Sequence, residues 1–551
     1  MTANEKMEEP LFRVGFVSDT HVEKTEESCL LTKLAFELFK AKNVDLMVNL
    51  GDLANYHYKE AYALYRRAYN EAFGENPPPQ LILYAYHDMK RDRDGVHDWT
   101  SAMQEFKEDM QIANDPYDLY VLKGHPFLVF PECADMERYE NEIKEAIRRF
   151  PGKPVFVLDH IPVYDTVADS RMRHIKEKRL ERRRILDRHP QVVHISGHIH
   201  VSLRNELNIW QGGFTAVNVA TLKSWSGRIV NNYAPGSKKC DEVMLMEVFS
   251  DRIVFRRFSV SDGSEIRPDR PWCIPLPFSP GSAPYNIERR RPLSQAPVFP
   301  SGSEINVSFE GRPFKQMTLE FDEAEHPDGC YLYRVELSRK DASGRYVPIG
   351  FKETYGDFYM KDRTGHAAVS FDAGYFDAAG EYQVTIVPID FFGNEGEPLH
   401  KEITCEEPER GYIVFESFNP MEDCPYYMGD EGNEPVPLKD GFYMFPSENT
   451  RLIFPKGAWD APAGTYFRLV LDMSTEQLDS SSMTLILHSQ GVLNYVRPRL
   501  VTPSGSNYHY RVVIEFQYNG DEGEYALFLG DGLPGKVAFH YVRIEKTEEH
   551  L

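Results

Sequence analysis

"LFRVGFVSDTH", residues 11–21, decides the fold. A run of apolar β-formers breaks off at Asp19, and His21 follows two residues later. A buried strand that ends on side chains able to bind metal or move protons predicts a site at a strand terminus. The same shape recurs in "VDLMVNLGD" (44–52), "PVFVLDH" (154–160) and "QVVHISGHIH" (191–200), each an apolar run closing on Asp or His. Amphipathic stretches such as "LLTKLAFELFKAK" (30–42) lie between them, with apolar residues at helical spacing. Strand-helix alternation predicts an α/β domain with its chemistry at strand ends. "VMLMEVFSDRIVFRRFSV" (243–260) then reads as a closing hairpin that turns near Ser250 and Asp251.

Five short pieces stand out together: Asp19-Thr20-His21, Gly51-Asp52, His87-Asp88 in "LILYAYHDMK" (81–90), His160, and Gly197-His198-Ile199-His200. In the first and last, an i, i+2 spacing puts both ligating side chains on one side of an extended backbone. Asp carboxylates and His nitrogens converging from several strand ends make a mixed O/N set, suited to Mn, Fe, Co, Ni or Zn. Six such ligands exceed what one open catalytic ion needs. Each piece alone is weak, because a lone Asp-x-His is common as a cap or a satisfied core pair. Together, in this order, they predict a metal centre.

These residues resemble the calcineurin-like metallophosphoesterases, whose pattern is D-x-H, G-D, G-N-H-[DE], H and G-H-x-H. The resemblance spans roughly residues 11–260. It implies a four-layer α/β sandwich with two divalent metals. Asp19, His21 and His200 would hold one ion, His160 and His198 the other, and Asp52 would bridge them. His87 would stabilise developing charge or protonate the leaving oxygen, and Asp88 would fix its tautomer. The implied reaction is attack of metal-bound hydroxide on the phosphorus of a phosphomonoester or phosphodiester. A phosphorylated small molecule or a glycan-linked phosphate is the implied substrate.

The departure lies in "LILYAYHDMK". The family's Gly-Asn is either replaced by Ala85-Tyr86 or deleted, leaving the loop two residues short. Either way the amide oxygen of the second metal is missing, so the second position is expected to bind weakly. A Tyr86 phenolate or the Asn55 amide could substitute. The alternative reading, from a different functional class, is a binding protein on a catalytically reduced metallophosphoesterase fold, acting through its β modules.

The domain boundaries read as 1–262 for the metallophosphoesterase-like domain, followed by a linker at 263–302. Nine prolines in 261–302 make that linker semi-rigid. Two all-β sandwiches complete the chain, at 303–407 and 408–551. The first, with "GEYQVTIVPIDFFGNEG" (380–396), resembles fibronectin type III modules; the second, ending in "VAFHYVRIE" (537–545), resembles a galactose-binding-like jelly roll. "RMRHIKEKRLERRRILDRHP" (171–190) holds nine Lys/Arg against three Asp/Glu. Met172, Ile175 and Leu186 recur in it at near-helical spacing, so it reads as an amphipathic surface helix or a basic rim for phosphate. His125 and His194 read as packing residues.

Bulk composition bounds the rest. A length of 551 residues exceeds one hydrophobic core. A net charge of −23 argues against a general nucleic-acid binder. No apolar run is long enough to span a membrane, and the N-terminus "MTANEKMEEP" lacks a signal peptide's basic and apolar regions. Seven scattered cysteines form no C-x-x-C pair, so a cytoplasmic location is expected.

Overall fold

The computed structural model describes residues 9–91, 95–170, 175–223, 228–229, 232–233, 240–423, 426–427, 436–437, 443–445, 451–453, 461–475, 484–489, 492–496, 508–518, 526–530 and 535–547. These residues divide into two compact units, one within 1–227 and 235–293, the other within 228–234 and 294–551.

The first unit is an α/β domain built on two sheets. One sheet is centred on β1 (Phe12–Val17), β2 (Leu46–Asn49) and β3 (Gln80–Ile82), which run parallel. It extends from the other side of β1 through antiparallel strands Glu242–Val248 and Arg252–Ser259, the expected hairpin. The second sheet has the order β4 (Leu119–Leu122), β5 (His125–Val129), β6 (Val155–Leu158), β7 (Val192–Ser196), β9 (Thr215–Asn218), β8 (Ile209–Gln211). Its central strands β5, β6, β7 and β9 are parallel. Phe12 of the first sheet meets His125 and Phe127 of the second at ring-centroid distances of 5.0 and 6.2 Å.

Continuous apolar strands follow from this layering, since parallel strands covered on both faces need no polar face. β2, β6 and β7 are buried at every residue. Helix α1 (Leu30–Ala41) buries Thr32, Ala35, Phe36 and Phe39, the i, i+3, i+4, i+7 stripe of an amphipathic helix. α2 (Lys59–Phe73) adds Tyr62, Tyr65 and Tyr69 to the same core. The one-turn α3 (Tyr86–Met89) follows β3. α4 (Trp99–Met110) starts where Asp98 accepts from the amides of Thr100 and Ser101. α5 (Met136–Arg149) and α6 (Lys176–Leu186) complete the domain's longer helices among the described residues.

Helix α6 exposes Glu177, Glu181 and Arg184 and buries Ile185 and Leu186, as an amphipathic surface helix does, but two of its basic residues are not on the surface. Arg179 and Arg182 are fully buried. The Arg179 guanidinium donates to the carbonyls of Pro162 and Ser170, and Arg182 Nη1 to Asp159 Oδ1 at 2.8 Å. A buried guanidinium persists only when paired and hydrogen-bonded, and these partners come from distant loops. Met172 lies outside the described residues.

The proline-rich stretch is also corrected over most of its length. Glu265–Ile266 and Trp272–Pro275 both pair with the strand Arg252–Ser259, inside the first unit. Trp272 is 1% exposed, with its Nε1 donating to Glu206. The Tyr285 amide donates to Gln211 Oε1, and Arg290 donates to the Glu206 carbonyl at 2.8 Å. Proline frequency reports extended backbone; it does not report burial. Limited proteolysis is therefore expected to leave 265–290 attached to the N-terminal fragment, with cutting near Leu293, which is 84% exposed. Early cleavage within 265–290, read by mass spectrometry of the fragments, would contradict this packing.

The second unit is all-β. Strands Asn306–Glu310, Gln316–Asp322 and His366–Asp372 form one sheet. Tyr346–Tyr355, Leu332–Lys340, Gly380–Ile389 and Leu399–Cys405 form the sheet that faces it across a shared core. The later block builds on Tyr466–Thr475 between Tyr508–Gln517 and Gly535–Thr547. Val470 and Val513 of this block enter the core of the earlier one, and Arg511 Nη1 donates to Asp377 Oδ1 at 2.5 Å. No disulfide links the described cysteines, and Cys424 lies outside the described residues.

Candidate metal centre

The parallel strands of both sheets deliver their C-terminal loops to one place. Asp19 and His21 follow β1, Asp52 follows β2, His87 follows β3, His160 follows β6, and His198 and His200 follow β7. Ligand sites in α/β sheets collect at these ends. The six expected ligands fall into two groups of three, Asp19/His21/His200 and Asp52/His160/His198, each with ligating atoms within 4.8 Å of one another.

In the first group, His200 Nε2 lies 3.1 Å from Asp19 Oδ1 and 3.2 Å from His21 Nε2. In the second, His160 Nε2 lies 3.1 Å from Asp52 Oδ2 and 3.3 Å from His198 Nδ1. His160 Nδ1 faces the Leu50 carbonyl at 2.9 Å, so Nδ1–H donates there and Nε2 is the nitrogen turned toward the group.

Backbone strain marks the same residues. Asp19, His21, Asp52, His198 and His200 all have positive φ, between 41° and 73°, so five of the six ligands sit in the left-handed region. Non-glycine residues avoid it, at a cost of order 1–3 kcal/mol each, and hold it only where the surroundings enforce it. The enforcement is visible. Asp19 N donates to the Gly51 carbonyl at 3.0 Å, and His21 N to the Asp52 carbonyl at 3.1 Å. His198 N donates to Asp19 Oδ2 at 2.8 Å, and Gly197 N to the His160 carbonyl at 2.9 Å. Asn49 Oδ1 accepts from Gly51 N at 2.9 Å, a support the sequence reading missed although Asn49 stands in the quoted "VNLGD".

The electrostatics ask for positive charge. Burial opposes ionisation of Asp19 and Asp52, yet His200 and His160 respectively outweigh it and hold both carboxyls below their ordinary range. His160 is correspondingly pushed well above its usual value: burial works against its charge and Asp52 overcomes it. Burial lowers His21 to about 4 against the pull of Asp52 and Asp19, leaving a neutral imidazole with a lone pair to give. Ionised carboxylates among imidazoles fit borderline divalent cations in ligand type.

His87 stands at the rim, its side chain 33% exposed. Its amide donates to Asp52 Oδ1 at 3.1 Å, its Nδ1 faces the Asn55 carbonyl at 3.1 Å, and its Nε2 lies 3.9 Å from Asp52 Oδ2. Asp88 is corrected: its buried carboxylate accepts from the amides of Leu53 and Ala54 at 3.2 and 3.0 Å, so it anchors the loop after Asp52. The Asn55 carbonyl takes the tautomer-setting place instead. The Asn55 amide donates to Glu23 at 3.4 Å.

Ala85 is extended, with φ −106° and ψ 162°, so this position needs no glycine. The residue that does is Gly51, at φ +103°, where a Cβ would lie 2.5 Å from that of Ala85. The Tyr86 phenol rests 3.2 Å from where a Cβ of Gly95 would stand, and Lys90 Nζ sits 5.2 Å from its ring centroid. His125 and His194 pack as expected, His125 against Phe12 and His194 buried beside Asp159.

Comparison with known proteins agrees with this geometry. The calcineurin-like phosphoesterase family model matches residues 12–202, and this segment is a calcineurin-like phosphoesterase domain. Among curated proteins, none matches the chain. A predicted phosphoesterase from Streptococcus pneumoniae is a structural neighbour, with 10% identity and a TM-score of 0.23, covering 48% of this chain and 97% of its own. A Bacteroides uniformis beta-glucuronidase matches over 97% of this chain and 65% of its own, with 11% identity and a TM-score of 0.18. The N-terminal CBM22 tandem domain of a Paenibacillus barcinonensis protein covers 46% of this chain and 94% of its own, at 8% identity and a TM-score of 0.15. Scores this low assign no activity. Among the described residues, no helix is long and apolar enough to cross a membrane.

Proposed function

We propose that the N-terminal domain hydrolyses phosphoric esters with two divalent metal ions. The observation that carries this reading is the pair of three-ligand groups, held at neighbouring strand ends by strained backbone. Asp19, His21 and His200 would hold one ion, His160 and His198 the other, with Asp52 between them. When bound, such ions supply Lewis acidity toward phosphoryl oxygens and generate the nucleophile at neutral pH.

The chain's own residues do the rest. Asp52, buried and ionised, fixes the His87 backbone through its amide and so sets the distance of the imidazole from the centre. With Nδ1–H given to the Asn55 carbonyl, Nε2 is the nitrogen that His87 turns to the site, and in the imidazolium form it carries a transferable proton. That atom faces the site from a partly exposed position, suited to protonating a leaving oxygen. Substrates of this reading are phosphomonoesters or phosphodiesters, small or glycan-linked.

Turnover of 4-nitrophenyl phosphate and of bis(4-nitrophenyl) phosphate, with manganese(II) titrated into metal-free protein, tests the reading. At least one ester should be hydrolysed in proportion to bound metal, and chelation should abolish it. Two tightly bound ions with no hydrolysis of either ester would favour a binding protein instead.

A further inference from the structure

We propose that Lys90 determines specificity: its ammonium, seated against the rings of Tyr56 and Tyr86 at the mouth of the metal centre, binds an anionic group on the leaving half of the substrate. The inference rests on the phosphoester reading above and narrows its substrates to esters whose leaving alcohol or phenol carries a second negative charge.

Lys90 stands three residues beyond His87, at the end of the one-turn α3. Its Nζ lies 4.7 Å from the Tyr56 ring centroid and 5.2 Å from that of Tyr86. The Tyr86 ring meets the His87 ring edge to face at 5.8 Å, and His87 Nε2 lies 3.9 Å from Asp52 Oδ2. Lys90, Tyr86, His87 and Asp52 thus form a continuous line from rim to centre, along which the Asp52 charge still acts on the ammonium. His87 is the group suited to protonating the leaving oxygen. Lys90, one ring further out, therefore meets what is attached to that oxygen and not the phosphorus.

The seat is held by the loop that orients His87. The Asn55 carbonyl faces His87 Nδ1 at 3.1 Å, and the Lys90 carbonyl accepts from His57 N at 2.9 Å. Tyr56 sits between these two anchors, so its ring is carried to Lys90 by the backbone on either side. The Lys90 amide donates to the Tyr86 carbonyl at 3.0 Å, which fixes the other ring. The row continues through Tyr58, 5.6 Å from Tyr56, to Lys24, whose Nζ is 4.3 Å from the Tyr58 ring, so a second ammonium stands along it.

Lys90 and both rings are half-buried. The ring faces attract the charge, but an ammonium has three donors, and a ring face is a poor acceptor for them. Among the described residues no carboxylate pairs with Lys90 Nζ, and burial lowers its pKa against the pull of Asp52. Lys223, by contrast, is paired with Glu23 at 2.9 Å. A cation partly withdrawn from water, beside an anion-processing centre and without an anion of its own, is a receptor for one.

The experiment uses the manganese-loaded full chain and four monoesters: 3- and 4-carboxyphenyl phosphate and their neutral carbamoyl counterparts of the same shape. Calorimetric Kd, and KM where the esters turn over, are the readouts. At one ring position or both, the carboxylate ester should bind roughly tenfold more tightly than its carbamoyl counterpart. Lys90→Met should bring that ratio close to one, and Lys90→Arg, which keeps the charge and stacks on tyrosine, should restore it. The ratio within each protein separates recognition by Lys90 from any contact of the carboxylate with metal. Equal affinities in the parent at both positions, or a Lys90→Met chain that keeps the preference, would overturn the proposal. A parent chain that shows the preference yet hydrolyses none of the four esters supports the role of Lys90 as an anion receptor and counts against the hydrolase reading alone.

Discussion

Asp52→Asn is expected to release the second ion and reduce ester hydrolysis to background. The substitution preserves volume and removes one charge at the point where the structure concentrates opposite charge. Asp52 is 2% exposed, and its Oδ2 lies 3.1 Å from His160 Nε2. An asparagine must present its NH2 either to His160 or to the His87 amide that now donates to Oδ1 at 3.1 Å. In the first case it opposes an incoming cation; in the second, two donors collide. Breaking a buried pair by removing one partner costs about 3–5 kcal/mol, and a loss of that size in ion affinity corresponds to roughly two to three and a half orders of magnitude. Metal content after dialysis, measured beside turnover, checks this. A variant with parental metal and turnover would remove Asp52 from the centre.

Gly197→Ala is expected to have the next largest effect, acting through the first group. A Cβ at residue 197 would overlap Ser18 Oγ and stand 2.6 Å from Asp19 Oδ2. Ser18 Oγ is committed to that same oxygen at 2.5 Å. The backbone cannot retreat, because Gly197 N is held by the His160 carbonyl at 2.9 Å and its carbonyl by Asn218 Nδ2 at 2.6 Å. Overpacking of this kind costs about 1–3 kcal/mol in stability. The displaced Asp19 should also weaken the ion it shares with His21 and His200. A lowered melting temperature with an at least tenfold weaker first ion is the predicted pair of results. An unchanged melting curve and unchanged affinity would show that the loop relaxes freely.

What the sequence disclosed follows physical range. Asp19, His21, Asp52, His160, His198 and His200 were legible because each terminates an apolar strand, and strand ends of a parallel sheet meet by topology alone. Their left-handed backbones were not legible. Only the glycines at 51 and 197 hinted at crowding, and nothing in a single chain says what a missing Cβ would strike. Glu132, whose carboxylate accepts from the Tyr86 amide, lies in "FPECAD" with no motif around it, and this support is visible only when β5 lies beside β6. Arg179 and Arg182 looked like surface charge because their buried partners Pro162, Ser170 and Asp159 belong to other loops. The prolines of 263–302 report extended backbone, while the packing of that stretch rests on Trp272, buried against Glu206, and on Tyr285, whose hydroxyl accepts from Cys273 N.

Anomalous diffraction from crystals grown with manganese(II) tests the central claim most directly. Two peaks are predicted, within about 4 Å of each other. One should lie among Asp19, His21 and His200, the other among Asp52, His160 and His198. A single peak, or none at these strand ends under saturating metal, would contradict a two-metal centre in this domain.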